Sequence, residues 1–98
     1  MIAPEEVEQI IMSHPAVDEA AIIGVPDIEW GERVRAIVVI KPGSELTSDE
    51  VVEHCRPKMA GFKRPEDVVF IDELPRNPMG KVLKRELREK YNEPIGPQ

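Results

Sequence analysis

Two short, nearly continuous apolar runs constrain the fold of this chain most. They are Ala20–Val25 and Val34–Ile40, and each is closed by a turn that contains a proline. Runs of this length, rich in valine and isoleucine, are typical of strands that are buried on both faces. The segment 26–32 between them is short and mainly polar, which suits a connection between neighbouring strands.

Two helices are indicated by their first turns. A proline at the first helical position, followed by two acids, predicts a helix over 4–13. Thr47 and Glu50 have the spacing of a capping box, which predicts the start of a second helix. Pro57 lies inside the pattern of that helix, so we expect the helix to kink or stop near Cys55.

The second half of the chain adds one strand and one helix. Val68–Ile71 is the third strand candidate, and apolar residues at every fourth position from Leu83 to Tyr91 predict a last helix. The order helix, strand, strand, helix, strand, helix predicts a small α+β sandwich with a three-stranded sheet and about three helices. We expect one domain over 1–92 and a loose tail over 93–98.

Composition excludes several classes of protein. The chain has 98 residues, too few for a second domain. It carries 13 basic and 19 acidic residues, a net charge of −6, which argues against a nucleic-acid partner. A single cysteine excludes an internal disulfide framework and a zinc ribbon. A membrane span is not predicted, because no uncharged apolar run approaches the roughly 20 residues that cross a bilayer. A cytoplasmic protein is the expectation.

The usual nucleophiles and ligands offer little. His14 and His54 have no nucleophile motif beside them, and we expect a structural or solvated role for His14, which precedes a proline at a helix end. Cys55 follows His54 on the same helix, so the two side chains point in different directions. Cys55 is expected to be a small buried hydrophobic residue, and no metal site is predicted.

The segment 74–85 stands out instead. Two prolines and Gly80 hold a loop in a defined path and deliver Lys81 just before a basic helix. Two interpretations are open at this point. Lys81 is either a solvated lysine in a turn or a positioned cation that meets an anion, for which a compact charge on a long stem is well suited. Gly80 either permits a backbone dihedral that a side chain forbids or allows close approach to a partner.

Five motifs in order make the interpretation more specific. The motifs are Ile2–Glu8, His14–Val17, Gly24–Asp27 with Gly31-Glu32, Phe62–Pro65, and Leu74–Lys81. Together they resemble the C-terminal domain of the adenylate-forming superfamily, which includes acyl- and aryl-CoA synthetases, luciferases and the adenylation domains of peptide synthetases.

The resemblance implies an activity for a larger enzyme. Members activate a carboxylic acid with ATP and magnesium to an acyl-adenylate, and the synthetase branch transfers the acyl group to CoA. The lysine at the position of Lys81 is the catalytic residue of the adenylation step and enters the active site of a large N-terminal domain. The residues around Lys81 are most similar to those of fatty acyl-CoA synthetases, which implies a fatty acid as substrate.

The resemblance also implies further roles and limits. Trp30 and Lys63 occupy places where relatives contact CoA. Gly80 is also expected to be a cofactor-binding residue. The small domain rotates between two orientations about a hinge that precedes the first motif. The family keeps the nucleotide pocket and the acyl pocket in the large N-terminal domain, so we expect this chain alone to be inactive. The alternative is a non-catalytic module that binds a protein or CoA.

Overall fold

The computed structural model describes residues 3–27, 31–59 and 64–95, which form three helices and a three-stranded sheet. The predicted α+β class and the predicted order of elements are both confirmed. The elements are α1 (Pro4–Met12), β1 (Val17–Asp27), β2 (Gly31–Ile40), α2 (Ser48–Cys55), β3 (Asp67–Phe70) and α3 (Lys84–Lys90), with a short 3-10 turn at Arg56–Lys58.

The sheet has the order β1-β2-β3, so β2 is the central strand. β1 and β2 are antiparallel, and Ile22 lies opposite Ala36. β3 runs parallel to β2, with Val68 beside Ala36. A parallel pair needs a crossover connection, and α2 lies within it.

Both faces of the β1–β2 pair are covered. One face packs against α1 and α2 through Val7, Ile11 and Val51. The other packs against α3 through Leu87 and against the segment before the lysine loop through Leu74. Because successive side chains of a strand point to opposite faces, nearly every residue of both runs is apolar, and Arg35 is the charged exception in the second run. The prediction of strands buried on both faces is confirmed.

The second helix begins and ends as the sequence indicates. Thr47 Oγ1 accepts the backbone N–H of Glu50 at 3.2 Å, and the Glu50 carboxylate accepts the backbone N–H of Thr47 at 2.9 Å. The helix stops at Cys55, and Pro57 lies in the 3-10 turn that follows. Cys55 is fully buried, as expected for a small hydrophobic residue.

The first two strands are longer than predicted. Their pairing continues from the apolar runs to Asp27 and Gly31, so most of the predicted connection is strand. Pro26 is tolerated because β1 is an edge strand, where a missing backbone donor breaks no ladder bond on the outer side. The first helix ends one residue early, at Met12, and β3 starts one residue before its predicted start.

The tail departs from the prediction at one residue. Ile95 is only 8% exposed and belongs to the hydrophobic cluster on the α3 side of the sheet. A loose tail from residue 93 is therefore wrong at Ile95, because an isoleucine gains free energy by leaving water even between turn-forming neighbours.

Arg35 is the one buried charged residue among those described, at 6% exposure. Its guanidinium donates to both carboxylate oxygens of Asp67 at 2.8 and 2.9 Å and to the backbone oxygen of Tyr91 at 2.8 Å. These hydrogen bonds to Asp67 raise the pKa of Arg35. One side chain thus ties β2 to β3 and to the end of α3.

We predict an order of stability for variants of this pair. Asp67→Ala leaves a buried cation without its partner and should lower the free energy of unfolding by about 2 kcal/mol. This loss is smaller than that for a fully buried ion pair, because Asp67 is one-third exposed. Arg35→Met removes the buried charge itself and should cost less. Urea unfolding measures both, and a larger loss for Arg35→Met would contradict the explanation.

Candidate functional site

The lysine loop, defined here as residues 75–83, is a tight hairpin-like segment in front of α3. Arg76 and Val82 form an antiparallel bridge, and the backbone N–H of Leu83 donates to the Pro75 oxygen at 2.9 Å. One step further in, the N–H of Asn77 donates to the Lys81 oxygen at 2.9 Å. The loop therefore has a backbone ladder of its own.

Gly80 supplies the turn at the tip of this loop. Its φ is +86°, in the left-handed region that L side chains rarely adopt, and its N–H donates to the Asn77 oxygen at 2.9 Å. A Cβ at this position would meet no atom within 4 Å. Among the described residues, Gly80 is thus required by backbone conformation and not by crowding.

Lys81 follows the turn with an exposed side chain. The structure gives its ammonium no ion pair and no hydrogen bond with the described residues. The neighbouring cations differ from it, because each meets a carboxylate: Arg76 contacts Glu19, Lys84 contacts Glu8 at 2.5 Å, and Arg85 contacts Glu89 at 3.4 Å. Within the part of the chain that the structure describes, the loop thus presents an unpaired cation, beside Met79, which is 90% exposed.

Two residues of the loop were missed by the sequence analysis. The Asn77 side chain accepts backbone N–H groups within the loop, and the Arg76 guanidinium donates to the Gly80 oxygen. An asparagine just before a Pro-x-Gly turn was the available signal, since asparagine side chains often bond to backbone a few residues ahead.

Comparison with known proteins places this loop in a family. The model of the AMP-binding enzyme C-terminal domain matches residues 6–81, so the match covers most of the chain and reaches Lys81. The chain belongs to this family. The resemblance seen in the sequence is therefore confirmed.

Relatives of this AMP-binding enzyme C-terminal domain are acid–CoA ligases. A long-chain-fatty-acid–CoA ligase of Mycobacterium tuberculosis is 42% identical over 93% of the chain. The structure of apo MatB from Rhodopseudomonas palustris matches 94% of the chain at 43% identity and a TM-score of 0.90. A fatty acyl CoA synthetase structure from Mycobacterium tuberculosis matches at 45% identity and a TM-score of 0.85. The chain spans 18% of the length of each of these relatives.

Two sequence-predicted contacts of this domain lie outside the described residues. In sequence, Trp30 comes just before β2 and Lys63 just before Arg64. Their expected CoA contacts therefore stay predictions.

A second cluster of polar groups joins the end of α1 to α2. Ser13 Oγ donates to the Ile10 oxygen at 2.5 Å, and His54 Nε2 lies 2.8 Å from that hydroxyl and 3.1 Å from the same backbone oxygen. The His14 ring stands edge-on to the His54 ring, with centroids 5.0 Å apart.

This arrangement holds two helices together and does not activate a nucleophile. The serine proton already faces the Ile10 oxygen, and His54 Nε2 is placed to donate to the same oxygen. No carboxylate orients either ring within the described part of the chain. The structural role expected for His14 fits this geometry, and His54 takes part in the same contact between the helices.

The described residues also limit other chemistry. Among residues 3–27, 31–59 and 64–95, no group of three or more His, Cys, Asp or Glu side chains could hold a metal ion. Over the same ranges, none of the helices has both the length and the apolar character needed to cross a bilayer.

The histidine cluster predicts a pH dependence of stability. Burial lowers the pKa of His54, and the charges of Lys58 and His14 lower it further. The folded state therefore binds this proton less readily than the unfolded state, whose pKa is near 6.5. The free energy of unfolding is therefore highest, as far as His54 is concerned, above the unfolded-state pKa. It decreases as the pH falls from there toward the lower pKa of the folded state.

Unfolding free energies at about pH 7.5 and 5.5 test this dependence in wild type and in His54→Gln. Wild type should lose more stability on acidification than His54→Gln, because only wild type carries the imidazole whose pKa is lowered in the folded state. Equal losses in the two proteins would show that His54 does not titrate as described.

Proposed function

We propose that this chain acts as the mobile C-terminal domain of an ATP-dependent acid–CoA ligase and supplies Lys81 to the adenylation step. The proposed overall reaction converts a carboxylic acid, ATP and CoA to acyl-CoA, AMP and pyrophosphate. One observation carries the proposal: an exposed lysine, unpaired among the described residues, sits on a hydrogen-bonded loop in a domain whose relatives are CoA ligases.

The first half-reaction explains why a cation is needed. A carboxylate oxygen attacks the α-phosphorus of ATP, a new P–O bond forms, and the bond to pyrophosphate breaks. Both reactants are anions, so they repel one another as they approach. The positive charge of the Lys81 side chain offsets this repulsion and stabilises the charge on the phosphoryl and carboxylate oxygens.

The second half-reaction has no need of that cation. The thiol of CoA loses its proton and attacks the acyl carbonyl, a C–S bond forms, and the C–O bond to AMP breaks. A domain that rotates after adenylation removes Lys81 and presents another surface to CoA. Trp30 and Lys63 are proposed for this surface on their sequence positions alone.

The large N-terminal domain is the proposed partner. Lys81 lies on the outer surface of this chain, so ATP and the acid have to be held by a second body that the loop can enter. Its existence is supported by the relatives, of which the chain matches 18%. Magnesium would accompany ATP there, because the described residues offer no ligand set for it. The cytoplasm is the proposed location.

Fatty acids are the proposed substrates, and this proposal rests on similarity to ligases named for them. Other relatives of comparable identity are named for 2-succinylbenzoate and for malonate. Since similar C-terminal domains accompany such different acids, we place the selection of the acid in the large domain and the shared adenylation chemistry in this one.

Replacement of Lys81 tests the proposal in the holoenzyme, meaning this chain together with its large domain. Lys81→Ala should lower ATP–pyrophosphate exchange by roughly a hundredfold or more, as when one stabilising donor is lost from an active site. Thioester formation from a supplied acyl-adenylate should survive. Lys41→Ala, at another exposed lysine, is the control and should leave both half-reactions unchanged.

Two results would contradict the proposal. Unchanged exchange in Lys81→Ala would favour a non-catalytic module that binds a protein or CoA. Equal losses in both half-reactions would indicate a general defect of the domain and not a role in adenylation.

A further inference from the structure

We propose that Asn77 and Arg76 are positioning residues for adenylation, which hold Lys81 at the place where it meets the reacting groups. This inference rests on the proposed function, since it assigns these side chains to the reaction of Lys81. Neither side chain needs to touch a substrate, because both act through the backbone of the lysine loop.

Asn77 organises the tip of the loop from the inside. Its Oδ1 accepts the backbone N–H of Met79 at 2.9 Å and that of Lys81 at 3.0 Å. The backbone of Asn77 adds two more hydrogen bonds, both at 2.9 Å. Its N–H donates to the backbone oxygen of Lys81, and its backbone oxygen accepts the N–H of Gly80. The two backbone polar groups of Lys81 are therefore both bonded to Asn77.

Arg76 fixes the same tip to the sheet from the outside. One nitrogen of its guanidinium donates to the Gly80 oxygen at 2.5 Å, and another forms an ion pair with Glu19. Glu19 belongs to β1, where it pairs with Val39 of the central strand. The residue just before Lys81 is thereby attached to β1, which is paired with the central strand β2.

This arrangement matters because a lysine side chain is long and flexible. The only fixed reference for its ammonium is the backbone from which it extends, and a shift of about 1 Å at a catalytic group can cost a hundredfold in rate. Burial does not hold the loop, since Gly80, Met79 and Lys81 are all exposed. The hydrogen bonds of Asn77 and Arg76 carry that task.

Asn77→Ala and Asn77→Asp form the matched pair that tests the inference in the holoenzyme. Asn77→Ala removes the acceptor and should slow adenylation about tenfold to a hundredfold, mainly in kcat. Asn77→Asp keeps an oxygen acceptor in the same place and should restore most of the rate. Thioester formation from supplied acyl-adenylate and the melting temperature should change little in either variant.

A double-mutant cycle tests the outer attachment. Arg76→Ala and Glu19→Gln should each slow adenylation, and the double variant should be no slower than Arg76→Ala alone, because Glu19 acts through Arg76. Multiplied effects in the double variant would show that the two residues act separately and would overturn this part.

Lys81→Ala in the same series separates the inference from the proposed function. If Lys81→Ala abolishes adenylation while Asn77→Ala is as fast as wild type, the positioning role is wrong and the proposed function stands. If Asn77→Ala slows both half-reactions together with a lower melting temperature, the residue is merely structural. If Lys81→Ala is fully active, both the function and the inference fail.

Discussion

The packing of both faces of the β1–β2 pair is the constraint on which the rest of the structure depends. Alternate side chains of these strands enter two separate hydrophobic clusters, so each face needs its own cover. Helices α1 and α2 cover one face. On the other, α3 is held through Leu87, and Leu74 and Ile95 complete the cluster. The lysine loop lies between two of these anchors, Leu74 and Leu87.

This position explains how an exposed loop keeps a defined shape. Its ends are fixed by apolar burial, its middle by a backbone ladder, and its tip by hydrogen bonds from Asn77 and Arg76. Glycine at position 80 permits the left-handed turn that closes the ladder. Lys81 can therefore remain in water without losing its place. An exposed charge on a loop of defined shape suits a domain that is proposed to place that charge in the active site of a second domain.

The sequence predicted the architecture well because its signals were local. Continuous apolar runs, the capping box at Thr47 and the proline after Cys55 each act within a few residues, and each is found where expected. The extension of the strands to Asp27 and Gly31 depends on cross-strand pairing, and the burial of Ile95 depends on contacts distant in sequence. The Glu19–Arg76 pair likewise joins residues that only the folded chain brings together. Lys81 was singled out by its motif, whereas the side chains that hold it were not.

The central claim is that Lys81 leaves water for an active site when ATP and the carboxylic acid are bound. The rate of amine acylation at Lys81 in the holoenzyme, followed by mass spectrometry with and without the acid and an ATP analogue whose α–β bridge cannot be cleaved, tests this most directly. Lys41, an exposed lysine that follows β2, is the internal reference. The account predicts that the analogue slows modification of Lys81 and leaves Lys41 unchanged. Equal modification of Lys81 in both states would contradict it.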